Sequence, residues 1–288
     1  MVTERFVFLS YKAFGDFVIA YSSLKLVSDI EGPNVMLYAA PHLKPLVDAL
    51  RVDGSIVSMM PPALLGHERM PAIFDLRQRG LLRGLDSLVK LKLSINRLPI
   101  SESMVVFDRL GLREKFLSLG LRSSSLISSK SKNIYLDYLD LFGHDPGSKP
   151  MAPSQSATKH ALIVPGSRVP AKCMNSDVIL ESVKALRNRG YSTTVLALDN
   201  ERISLTRQVP IKIIPQSFGE LTRAISCCDL LVSADSLPAH LGEFFGKPTF
   251  VMTPLENTYW LPLRAFLSGA YATFKEPSLI SDWLRTQN

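Results

Sequence analysis

The feature that most constrains this chain is the stretch from Leu230 to Met252, where an apolar run, a polar turn, a short helix and a second apolar run follow without a gap. Leu230-Leu231-Val232-Ser233-Ala234 reads as a buried parallel strand, because a strand covered on both faces need not alternate polar and apolar residues. The turn Asp235-Ser236-Leu237-Pro238-Ala239-His240 follows. A helix from Ala239 to Phe245 is then ended by Gly246-Lys247-Pro248, and Thr249 to Met252 forms the second strand. Such a unit belongs in a doubly wound α/β sheet, with its turn at the carboxyl end of a strand, where open sheets bind ligands. Asp235 and Ser236 suit an N-cap and Pro238 a first helical position, so free N–H groups would face an anion such as phosphate. His240 would add a donor one turn further on. Ordinary helix capping explains the same residues, and the hexapeptide alone leaves both readings open. A Ser-His-Asp hydrolase is disfavoured, since all three residues fall within six positions and no Gly-x-Ser-x-Gly elbow is present.

The length, 288 residues, suits one large domain or two ordinary ones, and 46% hydrophobic with 20% charged residues is a globular composition. No run approaches 18 uncharged apolar residues, as a membrane span requires. Lys12 and Asp16 interrupt the apolar N-terminal segment, so it does not read as a signal peptide. Three cysteines, Cys173, Cys227 and Cys228, give neither a disulfide framework nor a metal-ligand spacing, and a reduced cytoplasmic setting is expected. Net charge is +7, and it is concentrated: Arg77 to Lys132 holds twelve basic residues against four acids. That face suits an anionic partner, either a phosphorylated glycolipid or an anionic membrane surface, or it is simply a solvated helical face. Nucleic acid is not expected, because the basic residues are not interleaved with aromatics and no binding motif is present.

Two halves alternate strand and helix. The first opens with strand Phe6–Ser10, a turn over Tyr11–Gly15 and a helix from Asp16 to about Ile30, striped at Phe17, Ala20, Tyr21, Leu24 and Val27. Val35–Ala39, Ser55–Met59 and Ala72–Leu76 are further strands, and Leu43–Leu50, Leu81–Leu93 and Asn133–Phe142 helices. Gly143–Thr158 has the composition of a linker. The expected domains are therefore 1–150 and 151–288. The second runs through strand His160–Val164, turn Pro165–Lys172, helix Ser176–Arg189, strands Thr193–Leu198 and Lys212–Ile214, and helix Phe218–Cys228 to the opening unit. Two Rossmann-like doubly wound domains facing a cleft follow.

Three turns at strand ends carry candidate chemistry. Gly15 in Lys12-Ala13-Phe14-Gly15-Asp16 permits a tight turn, and Asp16 is either an N-cap or a carboxylate able to take a proton from a hydroxyl. Pro165-Gly166-Ser167-Arg168-Val169-Pro170-Ala171-Lys172 lacks the Gly-Lys-Ser/Thr ending of a P-loop, yet it offers small residues, a hydroxyl and two cations for a diphosphate. The third is the turn at Asp235.

In this order, the three turns resemble glycosyltransferase family 9, the lipopolysaccharide heptosyltransferases. The family's opening strand and Gly-Asp turn match Phe6 to Val18, and its Thr/Ser-Arg-x-x-Lys loop resembles Ser167 to Lys172, with three residues here between Arg168 and Lys172. Its Asp-Ser/Thr-Gly-x-x-His signature matches Asp235 to His240. The resemblance implies the GT-B type, with a nucleotide-sugar donor in the second domain, an acceptor in the first, and inverting, metal-independent transfer without a further cofactor. By the same resemblance Asp16 is the general base, and Lys172 with Ser167 and Arg168 neutralises the diphosphate. Asp235, Ser236 and His240 hold the phosphates and sugar, with Gly166 and Leu237 in the same turns; Gln216 meets the base and Glu201 the ribose. The chemistry is coherent: cations and helix N-termini can stabilise a leaving diphosphate, and one carboxylate opposite it suffices for inversion. Leu237 stands where the family has glycine, and Thr253 where it has a second. The expected activity is transfer of heptose from ADP-heptose to a lipopolysaccharide or other envelope glycan, in the cytoplasm, with peripheral contact to the inner membrane. The alternatives are a GT-B protein that binds glycan or nucleotide without catalysis, which Leu237 motivates, and a nucleotide-sugar epimerase.

Overall fold

The computed structural model describes residues 5–31, 34–61, 80–127, 132–144, 159–199 and 209–287. The chain divides into two compact units, Met1–Pro146 and Gly147–Asn288. Each is a parallel sheet covered by helices.

The first sheet has five strands in the order β3-β2-β1-β4-β5, formed by β1 (Phe6–Ser10), β2 (Val35–Ala39), β3 (Val57–Met59), β4 (Met104–Phe107) and β5 (Ser123–Ser125). β1 is central, pairing Phe6 with Val35 on one side and with Met104 on the other. The helix Phe14–Glu31 starts two residues earlier than its first acid suggests. All five residues of the expected stripe are buried, and so are Val18, Ile19, Ser22 and Ser23. The reason is tertiary: the helix lies against β1 and β2 and also against the helix Ile134–Leu141, so it buries more than one face. Asn133 caps that second helix by accepting the Tyr135 N–H at 2.9 Å. The helix Leu81–Ile95 packs against the helix Leu112–Leu117. The expected strand Ala72–Leu76 lies outside the described residues, as does most of the linker segment.

The second sheet has six strands in the order β11-β10-β9-β6-β7-β8. They are β6 (His160–Val164), β7 (Ser192–Leu198), β8 (Ile211–Ile214), β9 (Leu230–Ala234), β10 (Thr249–Thr253) and β11 (Tyr271–Thr273). β9 and β10 are buried at every position, in keeping with runs in which only Ser233, Thr249 and Thr253 are polar. The helices Ser176–Arg187 and Leu279–Thr286 pack on each other over a core holding Ile163, Val183, Leu186, Phe250 and Trp283. Between β9 and β10 runs the helix Leu237–Phe244. It approaches the sheet through Gly242, where an added Cβ would run into the Thr249 hydroxyl and come within 2.8 Å of a Leu231 methyl. Only a residue without a side chain allows that approach.

Candidate functional site

Both sheets are built outwards from their first strand. The chain leaves β1 for β2 and β3 and returns on the other side as β4; it leaves β6 for β7 and β8 and returns as β9. The turns after β1 and β4, and those after β6 and β9, thus flank a switch point at the carboxyl edge of each sheet, where such sheets hold ligands. Each switch point carries the same pairing: a lysine from the first turn meets an aspartate from the second.

In the second unit Lys172 ends the short 3-10 turn Pro170–Lys172, and its Nζ lies 2.6 Å from Asp235 Oδ2. Beside it the Ser236 hydroxyl donates to the Gly166 carbonyl at 3.1 Å. These two contacts tie together turns 63 and 70 residues apart in the chain. Ser236 is the N-cap of the helix Leu237–Phe244, but its side chain makes no cap bond, contrary to expectation. The physical reason is geometric: the hydroxyl is turned toward the Gly166 carbonyl, and the amide that could reach it, that of Ala239, is taken by the Ser236 carbonyl. Pro238 is the second helical residue and not the first. It has no N–H, and Ala239 gives its own to the Ser236 carbonyl at 3.1 Å, so an anion at this helix start would meet the amides of Ser236 and Leu237. Leu237 occupies the first helical position. Arg51 is the only described non-glycine residue with positive φ, so the backbone at Leu237 demands no glycine.

Ser167 accepts the Val169 N–H at 3.3 Å through its hydroxyl and takes the Cys173 thiol on its carbonyl at 3.3 Å, which shapes the turn around Lys172. Arg168 is exposed in the same turn. Gln216 is exposed between β8 and the helix Phe218–Cys227, one connection away from the Lys172 pair. Glu201 lies outside the described residues. Among those residues, no group of three or more His, Cys, Asp or Glu could hold a metal ion.

His240 is 5% exposed. Burial pushes its pKa down to about 4, against the pull of Asp235 and together with the repulsion of Lys172. The ring is therefore neutral near pH 7, a single-proton donor and not a cation. Below pH 6.5 the unfolded chain takes up a proton that the folded ring refuses until about pH 4. The unfolded state then binds more protons, so stability falls as the pH is lowered across that window. The full effect is roughly 3 kcal/mol. Glu243, whose carboxyl burial pushes up despite Arg264, acts with the opposite sign, because the folded carboxyl takes up its proton at higher pH than the unfolded one. It is common to wild type and His240→Gln. Urea midpoints from pH 7 to pH 4 should fall more steeply for wild type than for His240→Gln; parallel slopes would mean the ring is protonated in the fold.

In the first unit Asp16 sits in the first turn of its helix and is not the N-cap. Its Oδ2 accepts the Ala13 N–H at 3.1 Å, so it folds back on the residue before the helix as the acid of a capping box does. Asp16 also lines a pocket with Ser10, Lys12, Asp108 and Tyr138. There Lys12 Nζ lies 2.6 Å from Asp108 Oδ2, the counterpart of the Lys172–Asp235 pair. His42, whose pKa burial lowers against the pull of this bond, donates Nε2–H to the Lys12 carbonyl at 2.9 Å. Tyr11 donates its hydroxyl to Glu114 Oε1 at 3.1 Å, and Arg113 bonds the same carboxylate. Burial pushes the Glu114 carboxyl up, but the Arg113 hydrogen bond and charge outweigh it and hold it below the usual range. The turn at Asp16 is thus fastened at Tyr11 and Lys12. Sequence reasoning missed Asp108 and Glu114 in this role. The available signal was the short apolar run Met104–Phe107 followed directly by an acid, the same pattern as β9 followed by Asp235.

No protein-family model matches the sequence, and no curated protein matches it. Solved structures do match along the length of the chain. The glycosyl transferase family 9 protein from Veillonella parvula is 15% identical with a TM-score of 0.62, the match covering 95% of this chain and 86% of that one. ADP-heptose LPS heptosyltransferase II of E. coli is 12% identical at TM-score 0.59, with 98% of each chain covered. E. coli heptosyltransferase WaaC, solved with ADP, is 10% identical at TM-score 0.59, covering 99% of this chain and all of that one. The chain therefore has the two-domain, Rossmann-like GT-B fold of these proteins.

Proposed function

We propose that this protein is an inverting, metal-independent glycosyltransferase of the heptosyltransferase type, taking heptose from ADP-heptose and passing it to an anionic envelope glycan. The observation that carries the reading is the pair Lys172–Asp235 at the switch point of the second sheet, set at the start of the helix Leu237–Phe244. A lysine held there, with the amides of a helix N-terminus, can neutralise a leaving diphosphate. The similarity to a heptosyltransferase solved with ADP supports an adenine nucleotide as the first candidate.

In the proposed reaction the donor binds the second unit, with Lys172, Ser167 and Arg168 on the diphosphate and Asp235, Ser236 and His240 around phosphates and sugar. Gly166 and Leu237 supply backbone beside them, Gln216 faces the base and Glu201 the ribose. Asp16 of the first unit removes the proton from the acceptor hydroxyl as its oxygen attacks the sugar carbon. The bond from that carbon to the diphosphate breaks, and the electron pair leaves with the nucleotide. A fall in reactivity without loss of nucleotide binding is the second reading, favoured by Leu237 in place of the family's glycine. Thermal unfolding with ADP, UDP and GDP tests the donor site that both readings share, and release of ADP from ADP-heptose in the presence of acceptor separates them. Stabilisation by ADP above the other two is expected, growing by about 1.4 kcal/mol for each tenfold excess over Kd. Stabilisation by none of the three would overturn the donor site.

A further inference from the structure

The helix Leu81–Ile95 has an apolar face on the wrong side. Leu91 and Ile95 are buried in the core of the first unit, as are Ser87 and Ser94. The opposite side should be polar in a water-facing helix. Instead Leu82 is 83% exposed, and Leu85, Val89 and Leu93 are between 44% and 48% exposed. Their spacings of three, four and four residues place them in one stripe along the helix. The stripe is extended sideways by Lys92, whose Nζ binds the Leu117 and Leu119 carbonyls at 2.8 and 2.6 Å. Leu119 is 63% exposed, and Leu112, on the helix packed against this one, is 90% exposed. Isolated exposed leucines are ordinary, but six large side chains on this helix, the helix packed against it and the turn that follows need a cover.

The charge around them says what covers it. Residues 80–127 hold eight Lys and Arg against four Asp and Glu. Three of those acids are occupied within the unit, by Lys90, Lys12 and Arg113. Arg97, Arg109, Lys115 and Arg122 are all exposed. A leucine stripe flanked by cations fits the boundary between lipid headgroups and acyl chains, where the apolar side chains sink and the cations meet anionic headgroups. Another protein surface of the same basic character would be repelled, which argues against a second copy of this chain.

We propose that the stripe Leu82, Leu85, Val89 and Leu93, with Leu112 and Leu119, is a docking face for an anionic lipid bilayer. The inference deepens the envelope-glycan reading above by saying which face meets the membrane, but it requires no donor and no turnover. The test is co-sedimentation of the full chain with vesicles of phosphatidylcholine containing 30% phosphatidylglycerol, against vesicles of phosphatidylcholine alone. Wild type is expected to bind the anionic vesicles at least tenfold more strongly, and 0.5 M NaCl should weaken that binding. Leu85→Gln/Val89→Gln changes only exposed positions, so it should keep the wild-type melting temperature while losing at least tenfold in binding. Lys115→Glu/Arg122→Glu provides an independent arm and should lose the preference for anionic lipid. Wild type that ignores both vesicles, binds both equally, or is matched by the glutamine variant would overturn the proposal. So would a wild-type dimer that the glutamine variant turns into a monomer, since the face would then serve self-association. ADP stabilisation, measured separately, reports on the donor site whatever the vesicles do.

Discussion

Asp16→Asn is expected to lower turnover by roughly two to four orders of magnitude, the usual worth of a positioned general base. Its melting temperature should stay close to that of wild type. The separation is possible because Asp16 does two things. Its Oδ2 accepts the Ala13 N–H, and asparagine can accept the same bond through its amide oxygen. Its charge, in contrast, is what would draw a proton from an acceptor hydroxyl, and asparagine cannot do that. ADP affinity should be unchanged, since the proposed donor contacts lie on the second unit. Near-wild-type turnover of Asp16→Asn, in an assay that detects wild-type transfer, would leave Asp16 as a helix-capping acid and nothing more. The Lys12–Asp108 pair in the same pocket fastens the turn that carries Asp16 and is expected to matter through position.

Lys172→Ala should weaken ADP binding by roughly 10- to 100-fold, the worth of one hydrogen bond to a charged group. It should reduce turnover as well, because the contact exists in the ground state and strengthens as the diphosphate leaves. A stability loss is expected too, since Asp235, 11% exposed, is left without its cation. Pairing the change with Asp235→Asn removes that stranded charge. The double variant should recover melting temperature but not ADP affinity. Recovery of both would mean that the pair only holds the two turns together, and that the diphosphate binds elsewhere.

Local features were legible in the residues themselves. Mainly apolar runs such as Leu230–Ala234 have no polar face to offer water, which fits parallel strands covered on both sides. The glycines with positive φ after two helices, Gly190 and Gly246, could be read from residue type, because left-handed backbone is cheap only for glycine. From these units the doubly wound class followed, and so did the turns at Asp16, Lys172 and Asp235. Other features depend on long-range packing. β5 is three serines with no apolar signal, and it is a strand only because β4 offers Val105 to Phe107 as a template at the sheet edge. β4, at four residues, is too short to stand out in the sequence, yet it lies next to the central strand and delivers Asp108. Ser236 has the chemistry of a cap, but its hydroxyl turns to Gly166, a partner 70 residues away. Leu82, Leu85, Val89 and Leu93 look like core by periodicity, and the fold buries the other side of their helix. Propensity and capping are settled within a turn or two of chain, whereas strand order and long-range pairing depend on which surfaces the whole unit can bury at once.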